Sequence, residues 1–229
     1  MFIFWTIFMF FSFQVNAENY EKVIEKYILE NPETILQSLK NYEEKKDLEN
    51  KKENKSKINK LKKEIFLNDN NLYSGNRDSQ RIIVEFFDYN CSYCKKAHED
   101  IDKLLEKHKD LKVIYKNFPI LSEKSVELAK IGLLIARKSN KKFNYFHKTL
   151  MKKRKIPTEN ELRKILKKLD LEFDDIKRDL SDKSLDENLK TDFQLAQTLE
   201  LRGTPAFIVG EEILFGYVGF EELSSRIID

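Results

Sequence analysis

Two cysteines are all this 229-residue chain has, and they stand as Cys91-Ser92-Tyr93-Cys94. Three residues apart is about one helical turn, so the two sulfurs can reach disulfide geometry with little backbone movement. A bridge closing so small a loop removes little entropy from the unfolded chain and is a poor staple. Its use is to be made and broken. The thiolate is the nucleophile, and a cysteine at a helix N-terminus meets unpaired N–H groups and the positive end of the macrodipole, which favour that form. Cys91 is therefore the expected nucleophile and Cys94, a turn further in, the resolving thiol. The competing reading is half of a zinc site. Zinc takes about four ligands, and the only other soft candidates are His98, His108 and His147.

The elements that must position this pair are written on either side of it. Arg81 to Lys96 reads RIIVEFFDYNCSYCKK. Ile82, Ile83, Val84, Phe86 and Phe87 make the apolar run of a strand buried on both faces, as in a parallel sheet. Asp88-Tyr89-Asn90 breaks the run, and Ala97, Ile101, Leu104 and Leu105 then repeat with helical period. A strand leading into a helix whose first turn carries C-x-x-C is the context of a redox site.

Glu85 interrupts that apolar strand six residues before Cys91. A carboxyl held there would have a raised pKa and could take the Cys94 proton as that thiol attacks a mixed disulfide. The alternative is an edge position where Glu85 faces water. Gly203-Thr204-Pro205-Ala206-Phe207-Ile208-Val209 carries a second anomaly. Proline at the head of a central strand is awkward unless its peptide bond is cis. The expectation is a cis Thr204–Pro205 bond, with Thr204 backbone groups left to hold an extended substrate.

Residues 1–17 read as a secretory signal peptide: an almost wholly apolar run to Phe13, then Val15-Asn16-Ala17 as a small-residue cleavage site. An uncleaved anchor is the alternative, though the run falls short of the roughly 20 apolar residues that span a bilayer. Removing 17 residues leaves 229 − 17 = 212, one domain with an extension. The 42 basic and 39 acidic residues are interspersed, which gives no case for nucleic acid.

Residues 18–67 read as a helical N-terminal extension. Val23, Ile24, Tyr27 and Ile28, then Ile35, Leu36, Leu39 and Tyr42 after Asn31-Pro32, form an apolar stripe. From Glu43 to Lys57 only Leu48 is apolar, the pattern of a solvated helical linker. A stripe beyond such a linker needs a partner, most simply the same segment, residues 18–42, of another protomer; folding back on its own domain is the alternative. Residues 68–229 read as an α/β domain: Asn68 to Gln80 is polar, Leu111 to Tyr115 a second strand, and about 122–201 a helical insertion without strands. Strand chemistry then returns, with Ile213 to Phe215 as a hairpin partner and Phe220 to Ile228 as a closing helix.

VEFFDYNCSYCKKAH, NFPIL at Asn117 to Leu121, and GTPAFIVG at Gly203 to Gly210 resemble exported DsbA-like thiol–disulfide oxidoreductases. The likeness runs in order from Asn68 to Asp229. It implies a thioredoxin fold with an inserted helical domain, Cys91 as nucleophile, Cys94 as resolving thiol, Glu85 as buried acid, and Thr204-Pro205 as the loop facing the disulfide. YILENPETILQSL, Tyr27 to Leu39, is similar to the extension of the ScsC-like and Com1-like branch, which makes dimers or trimers in some members. Ser92 and Tyr93, the substrate-facing residues between the cysteines, depart from the family pattern. Many relatives have proline at the first, and strong oxidants have histidine at the second. Losing that histidine removes a donor to the Cys91 thiolate, and threonine before Pro205 is the choice of isomerase-type relatives.

What the resemblance implies is a periplasmic enzyme, an isomerase or reductase more than an oxidase. It would act on unfolded or misfolded disulfide-containing proteins and be reset by a membrane redox partner. It needs no cofactor beyond the Cys91–Cys94 pair. A monomeric dithiol oxidase is the first rival. A copper-binding or copper-tolerance protein is the second, since two thiolates suit Cu(I). A redox-independent holdase is more distant.

Overall fold

A computed structural model describes residues 17–68 and 71–228. The expected signal peptide, 1–17, therefore lies outside the described residues except for Ala17. The chain divides into two units, 1–50 and 51–229.

In the first unit, α1 (Ala17–Glu30) is followed by α2, which spans Pro32–Lys60. Asn31 separates them. Its backbone N–H and side-chain amide both donate to the Tyr27 carbonyl, at 2.9 and 2.8 Å, and satisfy the end of α1. Pro32 opens α2 at the position where a missing N–H costs nothing. Val23, Ile24, Tyr27, Ile28, Leu36 and Leu39 are all exposed here.

The second unit takes in the last turns of α2, then α3 (Lys62–Phe66), β1 (Leu72–Gly75), β2 (Arg81–Phe87), α4 (Ser92–Lys107) and β3 (Leu111–Asn117). Five helices follow: α5 (Glu123–Lys138), α6 (Asn140–Met151), α7 (Glu159–Lys167), α8 (Phe173–Asp179) and α9 (Lys183–Thr198). The hairpin β4 (Ala206–Val209) and β5 (Glu212–Phe215) and the helix α10 (Phe220–Ile228) close the chain. The sheet order is β1-β3-β2-β4-β5. β2 and β3 run parallel, and every other pairing is antiparallel. This is the thioredoxin-like α/β fold with a helical insertion that the sequence predicts.

Because strand residues alternate between faces, the two sides of the sheet have separate cores. Ile83, Phe87, Val113, Tyr115, Phe207 and Val209 pack with both cysteines, α4 and the inserted helices. Val84, Phe86, Ile114, Ala206 and Ile208 pack instead with Ile58, Ile65, Leu195 and Leu199. Glu85 points to the first of these faces, in register with Tyr115 on β3 and Phe207 on β4.

Three local features depart from the sequence reading. Residues 51–67, placed in the extension by their pattern, pack as part of this unit. Ile58 and Ile65 are buried, and Lys57 pairs with Glu200 at 2.6 Å and Lys55 with Glu211 at 2.5 Å. The polar segment before β2 also contains a strand, β1, whose four residues pair with the edge of β3. It turns at Gly75, with φ +85°, where a Cβ would run into the Leu111 carbonyl. The insertion holds a short extra helix, α8, bedded on Phe173 and Ile176.

Lys116 is buried on the second face, a residue the sequence did not single out. Its Nζ donates to Asn71 Oδ1 at 2.6 Å and to the Glu64 carbonyl at 2.8 Å, and lies 3.6 Å from Asp192. One cation thus ties α3, β3 and α9 together.

Candidate active site

Cys91 is the N-cap of α4, in extended conformation, and Ser92 begins the helix. The Cys94 N–H donates to Cys91 Sγ at 3.2 Å, and the Cys91 thiol faces the Thr204 carbonyl at 3.3 Å. Both cysteines stand as free thiols, Cys91 only 5% exposed and Cys94 fully buried. The two thiols are electrostatically unequal. Hydrogen bonds from the Cys94 thiol and then the Thr204 side chain, with the backbone N–H groups of the first turn, outweigh burial and bring Cys91 down to about 6. Burial first, then the bond to Cys91 and the Glu85 charge, push Cys94 far above the ordinary thiol value. At neutral pH one sulfur is ready to attack and the other keeps its proton until a base removes it.

Glu85 has the properties of such a base. It is fully buried, and neither carboxylate oxygen has a hydrogen-bond partner. Burial, and secondarily the charge on Cys91, raises its pKa well above the ordinary carboxylate range. The edge alternative is excluded, because β2 is paired on both sides.

The Thr204–Pro205 bond is cis. Pairing of β4 starts only at Ala206, opposite Phe86 and Phe215, which leaves Thr204 at the rim beside Cys91. Ser92 and Tyr93 are exposed on the same rim, Tyr93 at 61%. The structure therefore brings together all seven residues singled out by sequence. It adds Asp88, which the sequence reading passed over as a strand breaker. Asp88 accepts from Asn90 N–H at 2.7 Å through one carboxylate oxygen and from Leu121 N–H at 2.9 Å through the other. Its own carbonyl accepts from Cys91 N–H at 3.0 Å. It fastens the turn before α4 to the loop after β3, and the Asx-turn pattern D-x-N is the signal that would have found it.

The model of the DSBA-like thioredoxin domain matches residues 82–228. The chain belongs to the DSBA-like thioredoxin family.

Among crystal structures of similar proteins, the thiol-disulfide exchange protein alpha-DsbA2 from Wolbachia pipientis is 27% identical. It has a TM-score of 0.71 and covers 78% of this chain and 96% of its own. A linker-deleted variant of ScsC from Proteus mirabilis is 23% identical with TM-score 0.71, a likeness of fold over 94% of each chain. The probable disulfide bond formation protein D of Bacillus anthracis is 27% identical over 148 residues, 59% of this chain and 67% of that protein. The Na(+)/H(+) antiporter NhaA 3 of Salinispora tropica is 22% identical over 154 residues, 67% of this chain, which spans only 24% of that protein's length.

Two histidines weighed by sequence only as zinc candidates lie in the wall behind this DSBA-like site. His98 of α4 and His147 of α6 are buried, with ring centroids 5.2 Å apart. His147 Nδ1 is 3.2 Å from the Tyr89 hydroxyl. Among the described residues, no group of three or more His, Cys, Asp or Glu is placed to hold a metal ion. The helical spacing of Phe143, Phe146, His147 and Leu150 was the signal that His147 turns inward.

Proposed function

We propose that this protein is an exported thiol–disulfide oxidoreductase that reduces or isomerises disulfides in misfolded proteins through a mixed disulfide with Cys91. The observation that carries the reading is the inequality of the two thiols. Cys91 is acidified at the N-cap of α4 and open to the Thr204 rim, while Cys94 is buried above an unpartnered Glu85.

The steps follow from that geometry. The Cys91 thiolate attacks one sulfur of a substrate disulfide and expels the other as a thiolate, with Thr204, Ser92 and Tyr93 bordering the incoming chain. Cys91 is then neutral, which removes the second cause of Glu85's raised pKa and lets more of Glu85 ionise to the carboxylate that can take a proton. Glu85 takes the Cys94 proton, Cys94 attacks Cys91 Sγ, and the substrate leaves as a thiolate with Cys91–Cys94 oxidised. In isomerisation a different thiol of the substrate attacks its sulfur in the mixed disulfide instead, which forms a new substrate disulfide and returns Cys91 as the thiolate. A membrane redox partner resets the pair in the proposed cycle.

The isomerase direction is supported by Tyr93 in place of a histidine donor and by the exposed apolar side chains of residues 18–42. Ten exposed large apolar side chains on α1 and the first turns of α2 are the mark of an interface. A homo-oligomer formed there would hold several sites around one substrate and raise their effective concentration. Export is supported by the apolar leader, and no helix among the described residues is long and apolar enough to cross a membrane.

The test pairs a reduction potential with isomerase and oxidase assays on scrambled and reduced substrates. The expected potential lies between those of DsbA and thioredoxin, about −120 to −270 mV. A more oxidising value with oxidase activity alone would favour a monomeric dithiol oxidase. Charged replacements at Ile28 and Leu39 should give a monomer in sedimentation, keep dithiol oxidation and lower isomerase activity. Tight anaerobic Cu(I) binding, lost in Cys91→Ser and without any exchange activity, would favour the copper-protective role.

A further inference from the structure

The buried carboxyl of Glu85 has to exchange its proton with water once in every turnover that uses it, yet none of its surface is exposed. Behind it the packing is not purely apolar. Tyr115 is its register neighbour on β3, with a buried hydroxyl that has no well-formed partner and Ser74 nearby. The Tyr115 ring lies 4.1 Å, centroid to centroid, from the His147 ring. His147 is held on its other side by the Tyr89 hydroxyl at Nδ1, and its Nε2 is buried without a partner.

From His147 a cleft leads outwards. Its volume is about 240 Å³, and its walls include Ser74, His98, Asp102, Glu106, His147 and Lys148. A space of that volume, with these polar side chains in its walls, is large enough to admit water. Both ring nitrogens of His98 lack a hydrogen-bond partner, and its Nε2 is 3.7 Å from Asp102. Asp102 is 19% exposed and pairs with Lys148 at 2.9 Å. Three buried ring nitrogens without hydrogen-bond partners therefore belong to the walls of this cleft, and one of the two rings, His147, lies against Tyr115, the register neighbour of Glu85.

We propose that His147 is the relay through which Glu85 exchanges its proton with solvent, by way of the tyrosine hydroxyls on one side and this cleft on the other. A neutral imidazole has one N–H and one lone pair, so it can accept a proton on one nitrogen as it gives one up from the other. His147 stays neutral because burial, and then the His98 charge, lowers its pKa well below the ordinary value. A tyrosine hydroxyl passes protons in the same paired way, and single waters bridge the gaps between such groups. The groups facing His147 are Tyr89 from the turn after β2, Tyr115 from β3, Ser74 from β1, and His98 and Asp102 from α4, with Glu85 of β2 on the far side of Tyr115. Lys148 of α6 and Lys152 at its end act on His98 from the neighbouring helix. The inference rests on Glu85 being the acceptor for Cys94. His147 touches no reacting sulfur and acts only through Glu85.

The test is single-turnover release of a preformed Cys91 mixed disulfide, followed against pH in H₂O and D₂O with the full chain. His147→Gln is expected to slow release about tenfold and raise the solvent isotope effect, with Cys91 alkylation unchanged. In a Glu85→Gln background the same substitution should add nothing, and added imidazole should restore His147→Ala. If His147→Gln does not fold, His98→Gln on the cleft wall reads the same step and should show a smaller effect of the same kind. Unchanged release, or slowing that multiplies with Glu85→Gln, would overturn the relay. Glu85→Gln alone separates the two claims. If it slows release while the histidine variants do not, only the relay fails; if it changes nothing, the base assignment fails as well.

Discussion

Glu85 and Lys116 are charged residues buried in neighbouring strands of one sheet, and they face opposite sides of it. Lys116 is surrounded by partners: Asn71, the Glu64 carbonyl and Asp192. Glu85 has none. Burial drives both members of the Lys116–Asp192 pair towards neutrality, Lys116 downwards and Asp192 upwards, against their mutual attraction. Fixed partners hold that charge in one place and one state, which suits architecture. An unpartnered carboxyl retains the freedom to change protonation, which suits chemistry. The difference teaches that burial alone does not mark a functional charge; burial without partners does.

The largest effect that would sharpen this contrast belongs to the architectural side. Lys116→Met leaves Asp192 buried without its cation and Asn71 without its donor, and should destabilise the fold by about 3–5 kcal/mol in denaturant titration. Exchange kinetics of the protein that remains folded should be close to wild type. A large kinetic defect there would erase the distinction between the two sites.

On the chemical side, Glu85→Gln should slow release of the Cys91 mixed disulfide about a hundredfold, or about 2.7 kcal/mol of barrier, while attack by Cys91 is retained. Single-turnover quenching with mass detection separates the two steps. Glu85→Leu should make the folded protein more stable at pH 8 by about 1–3 kcal/mol, since it removes an unsatisfied buried group. The sign follows from linkage. A carboxyl whose pKa is raised by folding costs stability as pH climbs through and beyond the ordinary carboxylate range, so the gain should shrink in acid and level off below about pH 4 at the smaller cost of a neutral buried carboxyl. A gain that does not change with pH would mean that Glu85 is not held protonated by the fold.

Smaller again is Tyr93→His. It adds a donor on the rim beside Cys91 and should shift the potential towards oxidation by about 30 mV, equivalent to about 1.4 kcal/mol. No shift would mean that the helix N-terminus and Thr204 already saturate the Cys91 thiolate.

The same comparison explains what could be read from sequence. Glu85 was legible because a lone charge inside IIVEFF conflicts with every neighbour, and the cysteines because strand, turn and helix are contiguous there. Lys116 was not, since a lysine next to the end of LKVIYKN looks ordinary and its partners come from α3, the loop before β1 and α9. β1 escaped for a related reason: its four residues owe their pairing to the β3 edge, not to a pattern of their own. Residues 51–57 looked solvated because they hold no apolar side chain, yet Ile58 and Ile65 just beyond them and ion pairs from Lys55 and Lys57 suffice to seat the segment. The relay histidines lie on separate helices, and only their common burial behind Tyr115 relates them.

The most direct test of the central claim, an acidified Cys91 beside an inert Cys94, is alkylation of the reduced protein by iodoacetamide across pH with the modified residue located by mass spectrometry. The account predicts one modification, at Cys91, whose rate rises through a midpoint near about 6 and then levels, with Cys94 untouched in the folded chain. Equal labelling of both cysteines, or a Cys91 midpoint at the ordinary thiol value of about 8.5, would contradict it.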